Sequence, residues 1–187
     1  MNEIKNAIII FILFTILLGI IYPLAVTGIS QLAFPVQANG NIIKENGKII
    51  GSQLIGQDFS SPAYFHGRPS VINYNSSTSS GSNLGPTNQK LIDNITQRIT
   101  QIKTEDTIPA NSKVPADLVL SSGSGLEGYI YVNSALIQVP RIARSRGINE
   151  SEVIVLIKKN QEHVSFGFGK EIVNVLKLNI ALDNLKK

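Results

Sequence analysis

Between Lys5 and Lys44 the chain has no charged side chain, and from Ala7 to Val26 only Thr15, Gly19, Tyr22 and Pro23 interrupt aliphatic residues and Phe. A helix rises about 1.5 Å per residue, so roughly 20 such residues cross a hydrocarbon core of about 30 Å, and a backbone in lipid must satisfy its own N–H and C=O groups. The stretch therefore reads as a membrane span over about residues 7–29, within an anchor of residues 1–35. A buried core helix is the bland alternative, but the run is apolar on every face and lacks the polar stripe of a surface helix. A cleavable signal peptide has an apolar core of about 7 to 15 residues and a small-x-small site. Here the core is longer and only Ala25-Val26-Thr27 resembles such a site, so the anchor is read as uncleaved.

Pro23 leaves the carbonyl of Gly19 without its helical donor, which predicts a bend or an end there. Tyr22 suits the interfacial belt. Segments that line ion paths usually carry ionisable groups, and this one has none, so it reads as an anchor and docking helix. Charge leaves its orientation open: Glu3 and Lys5 precede the span, and Lys44, Glu45 and Lys48 follow it.

Residues 36–187 are enough chain for one domain with a real core. Lys5 and Glu3 lie ahead of the span, and taking one of each from 17 basic and 13 acidic residues leaves the whole +4 on the remainder. Its Lys and Arg are scattered, and no aromatic residues alternate with them, which argues against nucleic-acid binding. With no Cys, thiolate metal sites, Cys nucleophiles and disulfides are excluded, and either side of a membrane is permitted.

Along this domain, Ile42 to Ile50 reads as a hairpin turning at Asn46-Gly47. Ser52 to Gly56 reads as a strand, and the Ser/Thr/Gly/Asn run from Ser76 to Asn83 has the composition of a disordered linker, or of a long loop held against a partner. Pro86 suits a first helical position, after which Leu91, Ile95, Ile99 and Ile102 make one apolar face. Asp117 to Leu120 reads as a strand. Ser134 is a candidate N-cap for a helix that Pro140 bends or interrupts and Gly147 stops. Asn149 with Glu152 makes a capping box, stapled by Ile148 and Val153, and a last helix aligns Val175, Leu178, Leu182 and Leu185. The class is α+β: one transmembrane helix followed by one mixed soluble domain.

Gly123-Ser124-Gly125-Leu126-Glu127-Gly128 spells G-x-G-x-x-G after that strand, but a dinucleotide fingerprint must open a helix, and strand-like Tyr129 to Val132 follows instead. A tight turn is the favoured reading over a phosphate cradle. No Walker motif exists. His66 and His163 stand alone, without metal-ligand spacing. Ser121, Ser122 and Ser124 have no predictable His and Asp partners for a hydrolase triad. Gln138, Arg141 and Ser145 share a helical face beside Arg144 and Arg146, which reads first as a solvated basic face and second as a phosphate or acidic-partner site. Arg68, between Gly67 and Pro69, suits a turn clamp or a partner contact equally.

Ordered blocks run along essentially the whole chain: the span, Gly51 to Gln57, Tyr64-Phe-His-Gly-Arg-Pro-Ser70, Gly81-Ser-Asn-Leu-Gly-Pro-Thr-Asn88, Val114 to Val119, Ser122 to Leu126, Gln138-Val-Pro-Arg-Ile-Ala-Arg144 and Val173 to Asp183. In this order they resemble the C subunit family of the Kdp potassium-transporting ATPase. The sequence departs at Glu127-Gly128-Tyr129, where the family commonly has an acidic residue followed by Pro. The resemblance implies a non-catalytic, single-pass cell-membrane subunit whose partners are a channel-like potassium-binding subunit and a P-type ATPase subunit. It implies two conflicting roles. In one, the subunit is a catalytic chaperone that raises the ATP affinity of the ATPase subunit through a ternary complex, with Ser122, Gly123, Ser124, Gly125, Gln138 and Arg141 as nucleotide or partner candidates. In the other the domain lies outside the cell, over the potassium entrance, which cytoplasmic ATP cannot reach. The expectation is the extracytoplasmic placement, with Arg68, Asn83 and Asn88 as partner-contact candidates, no metal and no covalently bound cofactor. An external small-molecule-binding module and an independent nucleotide-binding enzyme are the competing readings.

Overall fold

A computed structural model describes residues 2–45, 47–163 and 169–185. The chain divides into two compact units, residues 1–50 and 51–187. In the first, α1 (Asn2–Ile16), a π-helical segment (Leu17–Ile21) and α2 (Tyr22–Ala33) make one continuous helix of 32 residues, about 48 Å long and apolar enough to cross a membrane. None of its residues is buried within the chain, so its apolar surface needs lipid or another protein. Pro23 does not end it. The N–H of Tyr22 reaches back five residues to the carbonyl of Leu17, and this wider turn lies just ahead of the proline, where the regular ladder would lose a bond. A short α3 (Pro35–Ala38) leads to β1 (Ile42–Glu45) and β2 (Lys48–Ser52), which form the expected two-stranded sheet. Gly47 takes a positive φ of 77° in the turn, while Asn46 lies outside the described residues.

The second unit departs from the expected strand at Gln53. The chain turns where Ser52 accepts hydrogen bonds from Leu54 N at its hydroxyl (3.1 Å) and from Ile55 N at its carbonyl (3.3 Å). The Ser76–Asn83 segment is not a free linker: Ser80 N and the Ser79 hydroxyl both donate to the carbonyl of Ser124, at 3.0 and 3.2 Å. Pro86 does not start the next helix. It occupies the second position of a turn closed by Asn88 N to Gly85 O (3.0 Å), a position that its fixed φ favours. Asn88 then caps α4 (Gln89–Glu105), accepting from Lys90 N at 3.0 Å. The apolar face of α4 is only half buried.

Asp117–Val119 is helical rather than extended, within α5 (Ala116–Val119), and only Leu120, its C-cap, has an extended backbone. Pro115 presets φ at −58° ahead of the first turn, and the Asp117 carboxylate accepts from Tyr131 N (2.8 Å) and the Ser134 hydroxyl (2.6 Å), which favours a turn over a ladder. Ser134 accordingly sits inside α6 (Val132–Ile137) and caps nothing. β3 (Tyr129–Tyr131) precedes it. Pro140 falls in the first turn of α7 (Val139–Arg146), separated from α6 by Gln138, and Gly147 stops α7 in the left-handed region at φ 63°. The Asn149–Glu152 capping box opens α8 (Glu150–Asn160).

β4 (Gln161–Glu162) and β5 (Ile172–Asn174) complete an antiparallel sheet in the order β3-β5-β4, with Ile130 opposite Val173 and Gln161 on the other side of Val173. Asn174 caps α9 (Val175–Asn184). Helices α6, α8 and α9 pack on β5, and Ile130, Ile142, Val153, Ile157, Val173, Leu178 and Leu182 form the core. Each such side chain contributes about 1.5 to 3 kcal/mol relative to exposure. Phe65, from the loop ahead of α4, is also wholly buried there.

Candidate functional site: a clamp and the cleft beside it

Phe65 enters the core from a loop, so its backbone polar groups need partners inside. Asn179 of α9 supplies both, accepting from Phe65 N at 2.8 Å and donating to Phe65 O at 3.0 Å. Gln138 does the same for His66, accepting from its N at 2.7 Å and donating to its O at 3.2 Å. The break between α6 and α7 puts Gln138 at their junction, facing inward, and leaves Arg141 one turn on.

Arg141 is 5% exposed and Gln138 is buried, which corrects the solvated face expected at these two positions, while Arg144 and Ser145 are exposed as that reading has them. Its Nε donates to Asp106 Oδ1 (2.7 Å), Nη1 to the carbonyls of Pro62 (2.7 Å) and Tyr64 (2.9 Å), and Nη2 to Gln138 Oε1 (2.7 Å). This is a buried charge paired and nearly saturated with acceptors. Burial is the main influence raising the Asp106 carboxyl above its ordinary range, opposed by the Arg141 hydrogen bond and charge. Burial, then the charge of Arg141, holds the His66 imidazole below its usual value.

Other sequence candidates are placed as follows. Ser122 is buried, donates its N–H to Pro69 O (3.3 Å), and accepts from Gly125 N (2.9 Å) at its hydroxyl, closing a tight turn. Gly125 has φ 71°, and a Cβ there would lie 2.6 Å from Ile72 Cγ1, so only glycine fits. Gly123 is exposed with open space around it. The Ser124 hydroxyl accepts from Leu126 N at 3.1 Å. Asn88 is a helix cap, and Asn83 is exposed in the left-handed region at φ 53°. Neither lines the cleft that brings Arg68 and Gln138 together.

That cleft, about 330 Å³, lies between α4 and the 58–74 loop, with Arg68, Tyr74, Arg98, Glu105 and Asp106 in its walls and Gln138 among its lining residues. Arg98 escaped the motif reading, although one signal existed: it stands on the same helical face as Ile95, Ile99 and Ile102. Tyr74 donates its hydroxyl to the carbonyl of Arg68, and burial, with the charge of Asp58, pushes its phenol up to about 12. Among the described residues no group of His, Asp or Glu is arranged to hold a metal.

The sequence profile described as "K+-transporting ATPase, c chain" (KdpC) matches residues 4–184. The chain is 47% identical over 98% of its length to the potassium-transporting ATPase KdpC subunit of Mycobacterium tuberculosis strain H37Rv, covering 99% of that protein. It is 48% identical to the KdpC subunit of Janthinobacterium sp. strain Marseille, over 96% of both chains. With that of Dechloromonas aromatica strain RCB it shares 46% identity over 98% of this chain and 97% of the other.

Proposed function

The chain belongs to the KdpC family, the c chain of potassium-transporting ATPases, and from that premise we propose that it is a non-catalytic accessory subunit, anchored by the Asn2–Ala33 helix, whose folded unit docks on the potassium-binding and P-type ATPase subunits outside the cytoplasm. The observation that carries this reading is the commitment of Gln138, Arg141 and Ser122 to internal bonds. Residues spent on holding the 61–70 loop, Asp106 and the 122–125 turn make a rigid docking body and have little hydrogen-bonding capacity left for nucleotide. A subunit of this kind promotes transport by binding some states of its partners better than others. The family's other role, raising the ATP affinity of the ATPase subunit in a ternary complex, needs direct nucleotide access, and no Walker motif supports that.

Protease applied to intact, wall-stripped cells tests the placement. The folded unit should be cut without lysis, and removing the chain should lower recovery of the assembled complex. Full protection until lysis overturns the external placement and restores a contact with ATP.

A further inference from the structure

The cleft beside Gln138 contains charges that the internal clamp does not use. Among the described residues, neither Arg68 nor Arg98 has a carboxylate within 4.0 Å, the four ion pairs lying elsewhere. Yet both guanidinium groups are drawn to one short piece of backbone. Arg98 Nη1 donates to Val119 O (2.9 Å) and Ser121 Oγ (3.3 Å), and Arg68 Nη2 to Leu120 O (3.4 Å). Arg68 Nε is buried with no acceptor among the described residues. Two like charges are thus gathered without a counterion, an arrangement that an incoming carboxylate stabilises through charge-assisted, bidentate bonds. The facing wall is built from strained backbone. Asn73 and Tyr74 are consecutive left-handed residues, at φ 50° and 55°, held there by Ser70 Oγ, which accepts from Ile72 N (3.3 Å) and Tyr74 N (3.0 Å). Such strain in a bulky residue persists where the surroundings enforce a particular shape. Along α4, Glu105 follows Arg98 by two turns, about 10 Å, and gives the groove an acidic end that, among the described residues, lacks a cation partner within 4.0 Å.

We infer that this cleft receives a segment of another subunit of the same ATPase complex, with an Asp or Glu side chain set between Arg68 and Arg98 and a Lys or Arg about 10 Å further along facing Glu105. Three residues of extended chain span that distance. A small free anion satisfies only the basic end, whereas a segment of mixed charge complements both. The inference rests on the docking role proposed above.

The chain has no cysteine, so Gln101→Cys, exposed on α4 between Arg98 and Glu105, gives it a single site for a photo-crosslinker, attached to the purified full-length chain before it is assembled with the other subunits. Irradiation should join it to another subunit, at a peptide that mass spectrometry shows to contain Asp or Glu beside the crosslink. Adding Arg68→Gln and Arg98→Gln should lower the crosslink yield at least tenfold while the melting temperature stays near that of the parent. A yield unchanged by the double substitution, or a crosslinked segment without an acidic residue, overturns the inference. So does saturable binding of inorganic phosphate to the full-length chain alone that the double variant loses, because the cleft is then a small-anion site. A crosslink from Val155→Cys on α8 with none from Gln101→Cys overturns the cleft and leaves docking standing. Silence from both positions removes the docking reading as well.

Discussion

Arg141 and Arg68 belong to the same folded unit and differ in what surrounds their guanidinium groups. Arg141 has a carboxylate, two backbone carbonyls and a side-chain amide, all within 2.9 Å. Arg68 has, among the described residues, one acceptor, at 3.4 Å, and a buried Nε with none. The first arrangement is complete within the chain, so its work is done in folding. The second is left open within the chain, and on the docking proposed above it is completed by a partner, so its work belongs to recognition. A buried, saturated cation is costly to disturb because removing it strands its partners, whereas a half-open one can be changed with little loss of stability.

Arg141→Ala tests the sharper side of that contrast. Asp106 would be left buried without its cation, and denaturant unfolding of the detergent-solubilised chain should show a loss of about 3 to 5 kcal/mol. A loss below about 1 kcal/mol would erase the distinction between the two sites. Gly125→Ala should come next, destabilising by about 1 to 3 kcal/mol, since it forces a side chain into a left-handed backbone and against Ile72. Asn88→Ala should cost about 1 kcal/mol through loss of the α4 cap, with any assembly defect recovered on cooling if capping is its whole role. Arg98→Gln should change stability by about 1 kcal/mol or less while weakening association with the other subunits, most visibly at low salt.

The smallest effect is in pH. His66 binds its proton less readily folded than unfolded, because burial and Arg141 oppose the charge. Stability should therefore rise with pH between its lowered value and the ordinary 6.5, and be lost as pH falls through that window. His66→Gln should flatten this part of the thermal-stability profile, and an unchanged slope would assign it to other groups.

Much of this architecture was legible in one dimension. A membrane span depends on a run of apolar residues without charge, and no tertiary contact is needed to read it. The hairpin at Gly47, the break before Pro140, the stop at Gly147 and the Asn149–Glu152 box were equally readable, because each rests on φ preferences or on hydrogen bonds across three or four residues. The Ser52–Gly56 strand and the Pro86 helix start gave way to local turns, at Ser52–Ile55 and Gly85–Asn88; in the other misread elements a distant partner outweighs local preference. Asp117 to Leu120 has strand composition, but Asp117 meets Ser134, 17 residues away, and the segment turns helical. Arg141 looked like a surface cation until Asp106, 35 residues back, was brought beside it. The clamp on Phe65 spans 114 residues. The cleft has the same origin. Arg68 and Arg98 lie in separate blocks of sequence, and only the packing of the 58–74 loop along α4 makes them neighbours, since which charges find partners and which stay open depends on contacts that close long loops of chain.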